Sequence, residues 1–356
     1  MKKKLQLLKT LCEANGVPGQ EIQVRKIMTN ELKDIADKIE IDGLGSFIAS
    51  KNSKSDFSPK VMIAGHMDEV GFMVKKIDDN GFITFQTLGG WWGHVLLGQA
   101  VTITTDEGKL VHGVIGSTPP HLLEGNAKNN VVKPDKMYID LGVKSKKKVE
   151  KLGVQIGDMI TPRVEFERMA DKNYLKGKAF DNRIGCGVAI EVMKNLQDEC
   201  PVNLYSVGTV QEEVGIRGAG TSANHIKPDV AFVVDVTLAG DTPGSIGADA
   251  KLGNGVVISL MDYYTISNKG LIKLVRETAK ELNINIEYKI DTNGGTDAGK
   301  IHQSGSGVPT VGFAIPSRYI HSHNSMIHYQ DYKDLITLIT SLCKKIDMDT
   351  VKKLND

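Results

Sequence analysis

Six side chains able to hold divalent cations fall where apolar runs give way to loops: His66, Asp181, Glu212, Glu213, Asp235 and His321. His66 closes the run Lys60-Val61-Met62-Ile63-Ala64-Gly65, and the two glutamates follow Leu204-Tyr205-Ser206-Val207-Gly208-Thr209-Val210-Gln211. Asp235 ends Val230-Ala231-Phe232-Val233-Val234, and His321 lies just beyond Pro309-Thr310-Val311-Gly312-Phe313-Ala314-Ile315. Asp181 precedes a helical stripe of Ile184, Val188, Ala189, Val192 and Met193. Imidazole mixed with carboxylate suits a borderline cation such as Zn²⁺ or Co²⁺, with Mn²⁺ a further candidate, whereas Mg²⁺ and Ca²⁺ favour all-oxygen shells. Six ligands with one shared suit two ions held ~3.5–4 Å apart.

Each residue taken singly has a plainer reading. A histidine after a strand is most often just satisfied by its surroundings. Asp68, two residues after His66, is spaced to accept the second ring N–H and so orient the imidazole. Asp181 fits a helix N-cap equally well. Adjacent glutamates on extended backbone point in different directions, so one can ligate while the other faces a substrate as a base. Their types do not say which is which. Arg318-Tyr319-Ile320-His321-Ser322-His323 offers two histidines for one role, and Gly294-Gly295-Thr296-Asp297 fits either a loop approaching a ligand or a plain turn.

The elements that must position these groups read as α/β. In an open α/β sheet, ligand sites form beyond the carboxyl ends of the strands. The run before His66 does not alternate, as expected of a strand covered on both faces. Helical patterns cover residues 3–14, the region of 21–28, 270–279 and a closing helix at 331–345, with a strand at 284–288. After Glu69 the texture changes to short β-like segments broken by the hairpin signals Asp79-Asn80-Gly81 and Asp106-Glu107-Gly108. The expected architecture is a mixed-sheet α/β catalytic domain, residues 1–69 and 165–356, with a small β-barrel inserted at 70–164.

Composition narrows the partners. Of 356 residues, 40% are hydrophobic and 24% charged, and 44 Lys and Arg balance 43 Asp and Glu. No global field draws the chain to nucleic acid or an anionic membrane. The cluster Lys144-Ser145-Lys146-Lys147-Lys148 reads as a solvated helix face. Cysteines at 12, 186, 200 and 343 have no C-x-x-C spacing and read as reduced thiols. Lys9 and Glu13 interrupt the apolar residues near the start, where Leu5, Leu8, Leu11 and Cys12 fit one helix face rather than a signal peptide. The expectation is a cytoplasmic protein with neither nucleic-acid nor membrane partner.

Five segments carry a resemblance: residues 64–71 (Ala64-Gly65-His66-Met67-Asp68-Glu69-Val70-Gly71), Lys178-Ala179-Phe180-Asp181-Asn182-Arg183, Gln211-Glu212-Glu213-Val214-Gly215, Gly294-Gly295-Thr296-Asp297-Ala298 and Arg318-Tyr319-Ile320-His321-Ser322. Together with Gly90-Trp91-Trp92 and residues 116–121 (Gly116-Ser117-Thr118-Pro119-Pro120-His121), they make the chain resemble the M42 metallo-aminopeptidases from its first helix to its last. The resemblance implies His66, Asp181 and Asp235 on one metal and Asp181, Glu213 and His321 on the other, with Asp181 bridging and Glu212 as general base. It further implies that the barrel is PDZ-like and dimerises, that dimers build a tetrahedral dodecamer, and that the substrates are peptides with a free N-terminus.

Three other readings are weaker. A related deacylase or dipeptidase would carry its extra domain after the Glu-Glu pair, whereas here about 115 residues separate His66 from Asp181. A glycosidase needs two carboxyls ~5–9.5 Å apart and no histidine ligands. A non-catalytic assembly protein stabilised by metals has no use for a base at Glu212. The chain departs from the family pattern at His323 and Ser325, where Pro and Glu are usual, and at Gly253-Asn254-Gly255-Val256, where Gly-Lys-Gly-Pro is frequent. These departures spare the ligands and alter the substrate-facing wall.

Overall fold

A computed structural model of the chain describes residues 2–245, 247 and 249–355. Helices α1 (Lys2–Glu13) and α2 (Ile22–Leu32) lead into strands β1 (Lys38–Ile41), β2 (Phe47–Lys51) and β3 (Lys60–His66). Then come β4 (Gly71–Ile77), β5 (Ile83–Leu88), β6 (Ala100–Thr104), β7 (Leu110–Gly116), β8 (Tyr138–Asp140), helix α3 (Lys146–Lys151) and β9 (Met159–Pro162). The chain continues through β10 (Glu167–Arg168), β11 (Tyr174–Gly177), α4 (Phe180–Asn195), β12 (Asn203–Thr209), α5 (Arg217–Ile226), β13 (Val230–Leu238) and β14 (Val256–Met261). It ends with α6 (Lys269–Glu281), β15 (Ile286–Ile290), α7 (Ala298–Ile301), β16 (Thr310–Arg318), β17 (Ser325–His328), α8 (Tyr329–Cys343) and α9 (Met348–Lys352).

Among the described residues, eleven strands form one mixed sheet, in the order β1-β2-β12-β3-β13-β16-β17-β11-β10 with β14 and β15 branching from β16. Strands β12, β3, β13 and β16 are parallel neighbours, so their carboxyl ends share one edge. Strands β4 to β9 close a separate barrel. The α/β class and the small barrel expected from the sequence are both present.

The central strands are buried on both faces, and their period of two sorts side chains between two cores. Val61 and Ile63 of β3, Phe232 and Val234 of β13, and Val311 and Phe313 of β16 pack with α1, α2, α4 and α8. Met62, Ala64, Ala231 and Val233 face the other way, against Ala219 and Ala223 of α5 and Ile301 of α7. Barrel strand β7 alternates exposed and buried residues, because its inner face alone joins a core with Phe72, Ile103, Ile139 and Ile160. No helix among the described residues is long and apolar enough to cross a membrane.

One contact fixes how α4 lies on the sheet. A side chain at Gly65 would bring its Cβ to 2.5 Å from the Gly185 backbone. Glycine therefore lets helix and strand touch backbone to backbone, one residue before His66 and four after Asp181. Gly65→Ala is expected to lower stability by about 1–3 kcal/mol, the usual cost of overpacking. Thermal and urea midpoints would report it, and unchanged midpoints would mean that α4 can withdraw.

Candidate metal centre

Four parallel strands deliver candidate ligands to the shared edge. His66 is the last residue of β3, Asp235 lies near the end of β13, and Glu212 and Glu213 follow β12 by three and four residues. His321 comes three residues after β16, on backbone with φ of 56°. Asp181 sits in the first turn of α4 but with extended ψ (φ −78°, ψ 103°). The capping bond that its position in the sequence also allowed is made by its neighbour instead: Asn182 Oδ1 accepts from the Gly185 N–H at 2.9 Å. The Asp181 carboxylate turns outward: Oδ1 lies 3.0 Å from His66 Nε2, and Oδ2 lies 3.4 Å from His321 Nε2.

The remaining predicted residues gather around this pair. Glu213 Oε2 is 3.3 Å from His321 Nε2, while Glu212 Oε2 and Asp235 Oδ1 are 3.9 and 4.0 Å from His66 Nε2. Ligand atoms of His66, Asp181 and Glu213 all lie within 4.8 Å of one another, close enough to hold a metal ion. Between the two candidate histidines the choice is clear. His323 is buried against Trp91, with ring centroids 5.6 Å apart, and neither of its nitrogens has a partner among the described residues.

Asp68 plays a different part from the one its spacing suggested. His66 Nδ1 meets the main-chain carbonyl of Asp68 at 3.0 Å, while the carboxylate stands 3.7 Å away. That carboxylate instead accepts from the backbone amides of Glu212 and Glu213, both at 3.0 Å. The left-handed backbone of Gln211, φ 58°, belongs to the turn that presents these amides. Two N–H donors satisfy both oxygens of a fully buried carboxylate, which one imidazole N–H cannot do. The carbonyl still fixes the ring: with Nδ1 donating to it, Nε2 is the nitrogen turned toward Asp181.

Electrostatics explains what this cluster calls for. Burial pushes the carboxyls of Glu212 and Asp235 well above the usual range, opposed for Glu212 by His66 and reinforced for Asp235 by the Asp181 charge. Glu213 rises through burial and then through Asp181. Burial also opposes ionisation of Asp181, but hydrogen bonds from His321 and His66 outweigh it and hold that carboxyl below the usual range. For the imidazoles burial favours the neutral form, yet Asp181 holds His66 well up, and Asp181 with Glu213 holds His321 at about 11. Negative charge is in excess, and divalent cations would neutralise it while leaving the imidazoles neutral, the form that ligates. Glu213 Oε1, buried and without a hydrogen-bond partner among the described residues, is a further acceptor open to a cation. The donor set thus fits metal ions.

Several groups that support the site escape a reading by residue type. Glu69 is buried with Lys178 Nζ at 2.5 Å and Arg183 Nη2 at 3.2 Å, and Arg183 also donates to the carbonyls of Leu11, Ala14 and Gly16. Asp297, in the glycine-rich loop, is buried and accepts from Thr209 Oγ1 at 2.5 Å; burial pushes its carboxyl up to about 6. Loop residues between β5 and β6 touch the ligands themselves. A Cβ at Gly89 would lie 3.2 Å from Glu213 Oε2, and one at Gly90 would lie 3.2 Å from His321 Nδ1. Glu69, Lys178, Arg183, Asp297 and Gly90 stand inside the quoted segments, so the available signal was a charged or glycine position within a motif.

A family model described as M42 glutamyl aminopeptidase matches residues 45–338. The chain belongs to this family. It is accordingly a peptide hydrolase of the aminopeptidase class. The FrvX protein of Escherichia coli (strain K12) is 42% identical over 353 residues, covering 99% of this chain and 97% of that protein. A crystal structure of a TET aminopeptidase from the marine sediment archaeon Thaumarchaeota archaeon SCGC AB-539-E09 superposes with a TM-score of 0.95 at 40% identity, covering 99% of this chain and 100% of that one. The TET1 peptidase of Pyrococcus horikoshii, which can assemble into a tetrahedron or a large octahedral shell, superposes with a TM-score of 0.85 at 32% identity, covering 96% and 99%.

Contact of the β5–β6 loop with His321 makes the cluster sensitive to one barrel residue. Gly90→Val would push the imidazole from its place between Asp181 and Glu213. Divalent-cation affinity measured by calorimetry is expected to fall about 10–100-fold, the range for losing a group that orients a ligand, with circular dichroism unchanged. Wild-type affinity would mean that the loop yields instead.

Proposed function

We propose that this aminopeptidase is dinuclear, with His66, Asp181 and Asp235 holding one ion and Asp181, Glu213 and His321 the other. One observation carries the reading: the two oxygens of the Asp181 carboxylate face two different imidazoles, the arrangement of a bridging ligand. Zn²⁺ and Co²⁺ fit the mixed donor set best, with Mn²⁺ a third candidate. Two such ions, when bound, polarise the scissile carbonyl and make water a stronger nucleophile.

The chain's own residues supply the rest. Glu212 is the general base: it takes a proton from the attacking water and returns it to the departing amine. Asp68 holds the main chain of both glutamates, so Glu212 and Glu213 keep separate directions and separate tasks. The cluster lines a cavity of about 380 Å³ that also contains Asp262 and the ion pair of Lys289 with Asp291. Its acidity draws in the cationic α-amino group of a free N-terminus, which makes removal of N-terminal residues the supported reaction. The inserted barrel carries the dimer contact and dimers close into a tetrahedral dodecamer; the likeness to the Pyrococcus horikoshii peptidase, which can assemble into a tetrahedron, supports the closed shell. Light scattering of the full chain should give the mass of twelve chains, and a monomer would overturn that assignment.

The sharpest test separates the glutamates. Glu212→Gln is expected to cost at least ~10²–10⁴-fold in turnover while metal content by elemental analysis stays at the wild-type level. Glu213→Gln should lose metal, with activity partly restored by added cation. If Glu212→Gln loses metal and Glu213→Gln keeps it, the two roles are reversed.

A further inference from the structure

We propose that a second cavity, on the barrel side of His321, binds the peptide beyond the scissile bond and selects substrates with an apolar second residue. This rests on the aminopeptidase reading above and adds a subsite to it. The cavity measures about 750 Å³ and adjoins the first, with Leu238, Ile320 and His321 lining both. The two differ in chemistry. Beyond its ligands the first contains Asp262, Lys289 and Asp291. The second is walled by Trp91, Trp92, Val95 and Tyr319, with no Asp, Glu, Lys or Arg among its described lining residues.

Exposure at its mouth is the second observation. Trp92 is 63% exposed, Leu238 59% and Tyr319 54%, although they come from the barrel, the end of β13 and the turn after β16. Single exposed apolar residues are ordinary, but a group of them at the rim of a cavity marks a binding surface. Tyr319 also holds a positive φ of 60°, a conformation that costs an aromatic residue energy and that clusters at functional sites. The back wall is rigid. Trp91 Nε1 donates to the Gly71 carbonyl at 3.1 Å, and its ring stacks on Phe72 with centroids 4.8 Å apart. A wall fixed in advance loses little entropy when a ligand arrives.

Charge assigns the occupants. The acidic cluster and Asp262 of the first cavity take the residue that carries the cationic α-amino group. The remainder of the peptide then extends past His321 along the aromatic-walled cavity. An apolar side chain in the second position would cover the Trp92 and Tyr319 rings, burying surface that glycine leaves wet.

The experiment uses peptides that share one first residue and carry Gly, Ala, Leu or Phe second, with the amide of that first amino acid in parallel. The kcat/KM for Leu or Phe is expected to exceed that for Gly by about tenfold, the scale of a filled apolar pocket. Trp92→Ser and Tyr319→Ser should each bring this ratio down to about a third of its wild-type value or less. Both tryptophans of the chain line this cavity, so intrinsic fluorescence of Glu212→Gln protein should change with the Leu peptide and not with the amino-acid amide. A wild-type ratio near one, a ratio that survives both substitutions, or an unresponsive fluorescence overturns the proposal. So does dissolution of an oligomer by Trp92→Ser with the ratio intact, which would make the surface a contact between copies. Hydrolysis of amide and peptides without second-residue preference defeats this inference alone. Failure to cleave any of them defeats the peptidase reading, and the fluorescence titration still decides the cavity.

Discussion

Negative charge brought together in a buried place is the constraint around which the molecule is organised. Asp181, Glu212, Glu213 and Asp235 meet at the carboxyl edge of the sheet, and burial raises the proton affinity of three of them. Such a group of acids is stable only with cations or protons among its members. His66 and His321 stand on either side of Asp181 and share its two oxygens. The same arrangement that protons satisfy would also suit divalent ions, which carry more charge in the same space and leave the imidazoles free to ligate.

Holding acids together against repulsion requires a scaffold that does not yield, and two buried carboxylates supply it. Asp68 grips the amides of Glu212 and Glu213, tying the loop after β12 to the loop after β3. Glu69 binds Lys178 and Arg183, tying that same loop to the start of α4, while Arg183 reaches on to the carbonyls that end α1. Losing one member of such a buried group leaves an uncompensated charge and typically costs about 3–5 kcal/mol. Gly65 against Gly185 completes the frame by setting the depth of α4 on the sheet.

The barrel is part of the site rather than an appendage. Side chains at Gly89 and Gly90 would crowd Glu213 and His321, and Trp91, next in sequence, anchors in the barrel core while forming a wall beside the candidate ligands. The chemistry therefore depends on how barrel and sheet are docked. The aromatic cavity exists only because residues from both meet at His321.

Much of this was legible from residue order. Doubly buried strands showed as unbroken apolar runs, the barrel as short segments between Asp-Asn-Gly and Asp-Glu-Gly turns, and the candidate ligands as acids and histidines at strand ends. Burial and turn geometry act over a few residues and leave a periodic trace in the chain. Other features leave no such trace. Whether His321 or His323 joins Asp181 depends on which ring the turn after β16 carries inward. Asp68 looked like a partner for the nearby imidazole, yet its carboxylate serves amides 144 and 145 residues away. Sequence alone determined which chemical groups were available and which strands would present them. Tertiary packing decided which groups touch, because contacts between distant residues depend on the docking of strand, helix and barrel, and glycines at 65, 90 and 185 govern that docking by what they leave out.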